Sequence, residues 1–183
     1  VGANGKGVTA SVGYAFDSGL SLAAGVSSPE DAILTEESGD LKAFEVAYTA
    51  DSYGVAAAYA FDDGAAGAGT QYYGLNAFYA PETTSLPSIS VGFESEEVDD
   101  SNNEKTGYFV GLTWSEVGPG SLSLGMGTQA NYADTDTELL TYEASYSYPV
   151  NDGMTITPGV YIKEAESGTD DDTGFLVKTS FSF

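Results

Sequence analysis

Cysteine, histidine and arginine are absent from this 183-residue chain, and positive charge comes from five lysines alone. Without histidine or cysteine there is no Ser-His-Asp triad, no thiol nucleophile and no zinc site of the usual nitrogen and sulfur type. No disulfide framework can form, and thiols say nothing about the redox compartment. Against 28 Asp and Glu the lysines leave a formal net charge of −23. A chain this acidic repels polyanions, so nucleic acid is a poor partner. No apolar run approaches the ~18 residues that a membrane-spanning helix needs. No signal peptide stands at Val1, so a leader has been removed or the chain begins partway through a larger precursor. The length suits one domain rather than several.

Charge of this magnitude usually accompanies disorder. Here 42% of residues are hydrophobic and 13% aromatic, a load that has to be buried or immersed. The pattern that organises it has a period of two. Phe175, Val177, Thr179, Phe181 and Phe183 alternate with Gly174, Leu176, Lys178, Ser180 and Ser182, which is a strand with one apolar and one polar face. The same alternation runs through Val8–Phe16, Leu20–Val26, Phe44–Ala50, Tyr53–Phe61, Tyr73–Tyr79, Ile89–Phe93, Tyr108–Trp114, Leu122–Met126, Leu140–Tyr148 and Ile156–Ile162. The sequence therefore predicts an all-β chain of about 11 strands, most of about 8–12 residues, the length a tilted strand needs to cross a bilayer.

The polar face decides between kinds of sheet. Its residues are mostly Gly, Ala, Ser, Thr and Asn. A soluble sandwich turns its apolar face inward and a charged face outward, whereas small, sparsely charged residues suit a wetted lumen behind a lipid-facing wall. The expected architecture is an antiparallel transmembrane β-barrel. Connections alternate in length: Asp17-Ser18-Gly19, Asp51-Ser52 and Asn151-Asp152-Gly153 are tight, while 27–40, 62–71, 94–105 and 165–172 are long and acidic. Barrels of the outer membrane have short periplasmic turns and longer external loops, so the C-terminus is expected in the periplasm. The odd strand count, starting outside, implies at least one further strand.

Aromatic residues fit this frame. Phe16, Tyr48, Tyr53, Tyr79, Trp114 and Tyr148 fall at the ends expected to be periplasmic, where a bilayer interface selects an aromatic girdle. They are also simply good strand formers. Phe175, Phe181 and Phe183 are similar to the terminal strand of outer-membrane proteins, the signal read by the barrel-assembly machinery.

Tyr142–Phe183 carries a more specific likeness. The run Tyr-Glu-Ala-Ser-Tyr-Ser-Tyr-Pro-Val-Asn-Asp-Gly-Met-Thr-Ile-Thr-Pro-Gly-Val-Tyr-Ile, a polar loop with Asp170-Asp171-Asp172, and Phe-Leu-Val-Lys-Thr-Ser-Phe-Ser-Phe resembles the C-terminus of cyanobacterial outer-membrane porins. These belong to a carbohydrate-selective-porin-like group whose precursors carry an S-layer-homology domain. The resemblance implies a 14–16-stranded barrel of which residues 1–183 are the C-terminal portion. It implies passive diffusion of small solutes or ions and a homotrimer. Peptidoglycan would be met only through a domain outside this chain. A basic residue facing the lumen is implied at Lys178. The lack of arginine departs from the family and weakens any expectation of anion or sugar-phosphate selectivity.

Two sets of charged residues are candidates for function. Glu36, Glu37, Glu96, Glu97, Asp99, Asp100, Asp134, Asp136, Asp170, Asp171 and Asp172 would form acidic vestibule loops that concentrate cations, or a merely solvated surface. Oxygen-rich clusters can hold Ca²⁺ or Mg²⁺, but no EF-hand spacing is present; no metal and no cofactor are expected. Glu45, Glu94, Glu143, Lys163 and Lys178 would line the lumen and tune selectivity, unless Glu143 pairs with Lys163 or Lys178. No two carboxylates are placed for hydrolysis, and Gly64–Gly69 lacks the Lys-Ser/Thr of a phosphate loop, so an enzyme is not expected. A cation-leaning porin is the leading expectation. A structural or receptor barrel without a conducting pore, and a secreted acidic sandwich, are the alternatives.

Overall fold

The computed structural model describes residues 7–29, 39–62, 69–99, 104–130, 132–133 and 137–182. Glu36, Glu37, Asp100, Asp134, Asp136 and Phe183 lie outside the described residues. All regular structure among the described residues is strand: β1 (Gly7–Ala15), β2 (Leu20–Pro29), β3 (Leu41–Thr49), β4 (Tyr53–Asp62), β5 (Thr70–Tyr79), β6 (Ser88–Val98), β7 (Glu104–Val117), β8 (Gly120–Thr128), β9 (Tyr132–Ala133), β10 (Leu140–Asn151), β11 (Met154–Lys163) and β12 (Asp172–Phe181). They form one antiparallel sheet whose neighbours follow chain order; β9 alone leaves this path, pairing with β7.

Tight reversals set the register. After β1 the chain turns through Gly19 at φ +88°, a conformation that disfavours any side chain. A Cβ there would also overlap the Thr49 carbonyl, and the Thr49 amide donates to the Gly19 carbonyl at 2.9 Å. After β10 the Gly153 amide donates to Asn151 Oδ1 at 2.9 Å, an Asx-type turn. The ladders run without a slip along β1–β2, β2–β3, β3–β4 and β11–β12, and β10–β11 carries one irregularity between Pro149 and Asn151; along each unbroken ladder every alternating residue keeps its face.

Strand contacts divide the chain into two compact units, Val1–Ala77 with Phe93–Thr106, and Phe78–Gly92 with Gly107–Phe183. In the first, Phe44 lies opposite Ala24 and Tyr59, and Val46 opposite Leu22 and Ala57, on the apolar face. In the second, Val160 lies opposite Ala144 and Phe175, and Tyr142 opposite Met126 and Ile162.

These apolar faces are not covered. Ala133, 6% exposed, is the single buried hydrophobic residue among the described residues, while Val12 is 73%, Phe175 69%, Tyr14 66% and Phe181 60% exposed. Burial of apolar side chains is the main favourable term in water, and this sheet leaves most of that term uncollected.

Two features differ from the sequence expectations. First, β6 and β7 are longer than the runs Ile89–Phe93 and Tyr108–Trp114, so Glu94, Glu96 and Glu97 are strand residues and not part of a long loop. Carboxylates on a partly exposed strand end cost little, and their charge imitated loop composition. Second, Asp172 opens β12 instead of closing the preceding loop, and two-residue β9 is additional. The path is open: no ladder joins β1 to β12 among the described residues. Eleven strands remain on the path once β9 is set aside, so its first and last strands run in the same sense. The antiparallel closure of bacterial barrels is not available to these strands alone.

Candidate functional site

The register gathers the small polar residues onto one face of each unit. In the first unit Glu45 stands directly between Ala23 on β2 and Ala58 on β4. Gly25 lies opposite Ser11 and Ala43, and the Thr9 and Ser27 hydroxyls meet at 3.0 Å. The result is a low wall from which one carboxylate projects. Glu94 is also exposed. Glu96 is tied to Lys105 across β6 and β7 by an ion pair of 3.3 Å, with both side chains partly exposed. Lys105 escaped the sequence reading because it followed an acidic run taken as loop.

In the second unit Glu143 lies opposite Gly125 on β8 and Tyr161 on β11. Lys163 lies opposite Thr141 and Asp172, and Lys178 opposite Thr157. Hydroxyl contacts cross this face, Thr113 to Ser123 at 3.1 Å and Thr157 to Ser147 at 3.5 Å. The expected sharing of one face by Glu143, Lys163 and Lys178 follows directly from the ladders. The alternative in which Glu143 pairs with a lysine does not: no ion pair joins it to Lys163 or Lys178 among the described residues.

Aromatic rings also enter the polar face. Phe109 lies opposite Gly127, and its ring leans over Gly92, where an added Cβ would overlap it. Tyr161 leans over Gly174 in the same way. Each ring covers a strand position without a side chain, a known way of supporting glycine in a sheet.

At the strand ends carrying the longer connections, tyrosine hydroxyls hold polar partners. Tyr59 and Tyr73 both donate to Gln71 Oε1, at 3.1 and 3.0 Å, and Gln71 Nε2 donates to Asp99 Oδ1 at 3.2 Å. In the second unit Tyr108 donates to Glu138, and Tyr142 donates to Glu164 Oε1 at 3.1 Å. Glu164 Oε2 also accepts the Leu140 amide at 2.9 Å. Gln129 Nε2 donates to the Leu140 and Glu164 carbonyls at 3.0 and 2.7 Å. Sequence reasoning missed Gln71, Glu138 and Glu164, which meet tyrosines, and Gln129, which meets two backbone carbonyls, because the fold and not the local pattern brings these partners together. Asp171 Oδ1 accepts the Ala165 amide at 3.0 Å; Asp99, Asp170, Asp171 and Asp172 are exposed.

Among the described residues no three Asp or Glu side chains converge as a metal site would require. At the opposite strand ends Tyr48 packs on Tyr53 with ring centroids 5.9 Å apart, and Tyr14 meets Phe16 edge to face at 4.7 Å. Phe16, Tyr79 and Tyr148 are exposed and Trp114 is half-buried. Phe175 and Phe181 project from the apolar side of β12. No known family model, curated protein or solved structure matches this chain.

Proposed function

We propose that this chain is the strand-bearing portion of a porin of a bacterial outer membrane, which lets small solutes or inorganic ions diffuse passively and leans toward cations. The observation that carries the reading is the separation of faces: an uncovered apolar face behind a wall of Gly, Ala, Ser and Thr, with one buried hydrophobic residue among those described. Water penalises such a face, at roughly 25 cal/mol per Å² of apolar surface. Hydrocarbon does not, provided that backbone groups are paired in ladders.

Under this reading the apolar side meets lipid, and aromatic residues such as Tyr48, Tyr53 and Tyr148 sit at an interface. The small-residue side meets water in a transmembrane barrel of 14–16 strands, closed by strands beyond the open path of β1 to β12. The short turns face the periplasm and the acidic connections the exterior. The likeness of Tyr142–Phe183 to the cyanobacterial porin C-terminus supports assembly by the barrel-assembly machinery, a homotrimer, and peptidoglycan contact through a separate domain.

Cation preference follows from exposed carboxylates with few lysines among them. The test is swelling of liposomes loaded with the purified protein in an iso-osmotic solution of a small neutral solute. Swelling that slows as solute size rises is expected. Folded protein in liposomes that never swell would transfer the reading to a structural or receptor barrel.

A further inference from the structure

The polar face of the second unit contains a depression of about 250 Å³. Two cross-strand rows build it: Phe109, Gly127 and Thr141, and beside them Gly111, Gly125 and Glu143. Its floor is glycine, so no side chain fills the space. Its walls are unequal, an aromatic ring on β7 and a carboxylate on β10. The rings at its borders leave it open. Phe109 leans outward over Gly92, and Tyr161, the β11 neighbour of Glu143, leans over Gly174. Glu143 is exposed and makes no hydrogen bond or ion pair among the described residues. Lys163 stands beyond Thr141 on β11, off the glycine floor.

We propose that this depression is a subsite for a small organic ammonium ion, with the charge against Glu143 and the alkyl groups against Phe109 and the glycine floor. An anion is disfavoured by the carboxylate. A hard divalent ion needs several oxygen ligands, and no such group converges here. An alkylated ammonium carries a loosely held hydration shell, gains from an adjacent aromatic ring, and needs only one counter-charge. The proposal rests on the pore reading in one respect, that this face is wet and reachable by solute.

The probe is tetramethylammonium, followed by saturation-transfer NMR on the detergent-folded full chain, with parallel single-channel recordings. The wild type is expected to saturate the methyl signal. Glu143→Gln should weaken binding roughly fivefold, the scale of one exposed charge contact, and Glu143→Asp should recover most of it. Gly92→Ala should weaken binding too, by driving the Phe109 ring off its seat. Should that variant fail to fold, Glu143→Gln and Glu143→Asp still decide. Glu82→Gln, in a turn remote from the depression, should bind as the wild type does. Absence of saturation transfer, or binding indifferent to Glu143→Gln, overturns the subsite. Channel steps without binding would remove the subsite and leave the pore; binding without steps would do the reverse.

Discussion

Tyr161 on β11 and Gly174 on β12 are cross-strand partners, and the tyrosine ring occupies the space that a Cβ on residue 174 would need. Gly174→Ala should therefore displace the end of the ring and cost about 0.5–1.5 kcal/mol, the scale of a side chain forced off its rotamer. Gly111→Ala is the matched control, because its nearest neighbour would be Ser90 Cβ at 3.9 Å. Denaturant titration of the refolded protein checks both, with a shifted midpoint expected for the first and little change for the second.

Val46 and Ala47 are adjacent on β3 and belong to opposite faces. If the apolar face meets lipid, Val46→Lys should destabilise the folded protein in liposomes by about 2–4 kcal/mol, as charges do near the bilayer midplane. Ala47→Lys, on the wetted side, should cost under about 1 kcal/mol by the same comparison. A soluble sheet would tolerate both, since a charge on a water-exposed face changes little. Urea titration of the folded fraction in vesicles distinguishes these outcomes.

Gln71 accepts hydrogen bonds from two tyrosines and donates one to Asp99. Gln71→Ala leaves both hydroxyls and the carboxylate to water. The expected loss is about 1 kcal/mol, since exposed groups are readily resolvated. The effect should be local: faster amide exchange near Gly69 and Asp99, whose backbones are bonded at 2.8 Å, with exchange in β11 and β12 unchanged.

Lys163 and Lys178 carry the positive charge on the polar face of the second unit. Replacing both by Gln should raise the K⁺ over Cl⁻ permeability ratio by roughly twofold, because each removed ammonium had favoured anions in the same aqueous path. The shift should shrink in 1 M salt, where the Debye length is about 3 Å. Reversal potentials at two salt concentrations give the answer.

The alternation of Phe175, Val177 and Phe181 with Gly174 and Lys178 was enough to place β12, and the same logic placed the other long strands, because period two is a local property. The outer halves of β6 and β7 were not legible. Glu94, Glu96, Glu97, Glu104 and Lys105 look like loop composition until the fold brings Glu96 and Lys105 together as an ion pair between β6 and β7. Two-residue β9 carries too little pattern to be read at all. The pairing of Phe109 with Gly92 and of Tyr161 with Gly174 depends on register between strands, which no single strand encodes. Alternation placed Glu143 on the small-residue face; the glycine floor beside it comes from two other strands, β7 and β8.

The most direct test of the central claim is single-channel conductance of the intact protein in a planar bilayer under a KCl gradient. The account predicts discrete steps and a reversal potential favouring K⁺. A correctly folded, heat-modifiable protein that gives no steps would contradict the pore, and steps favouring Cl⁻ would contradict the role assigned to its carboxylates.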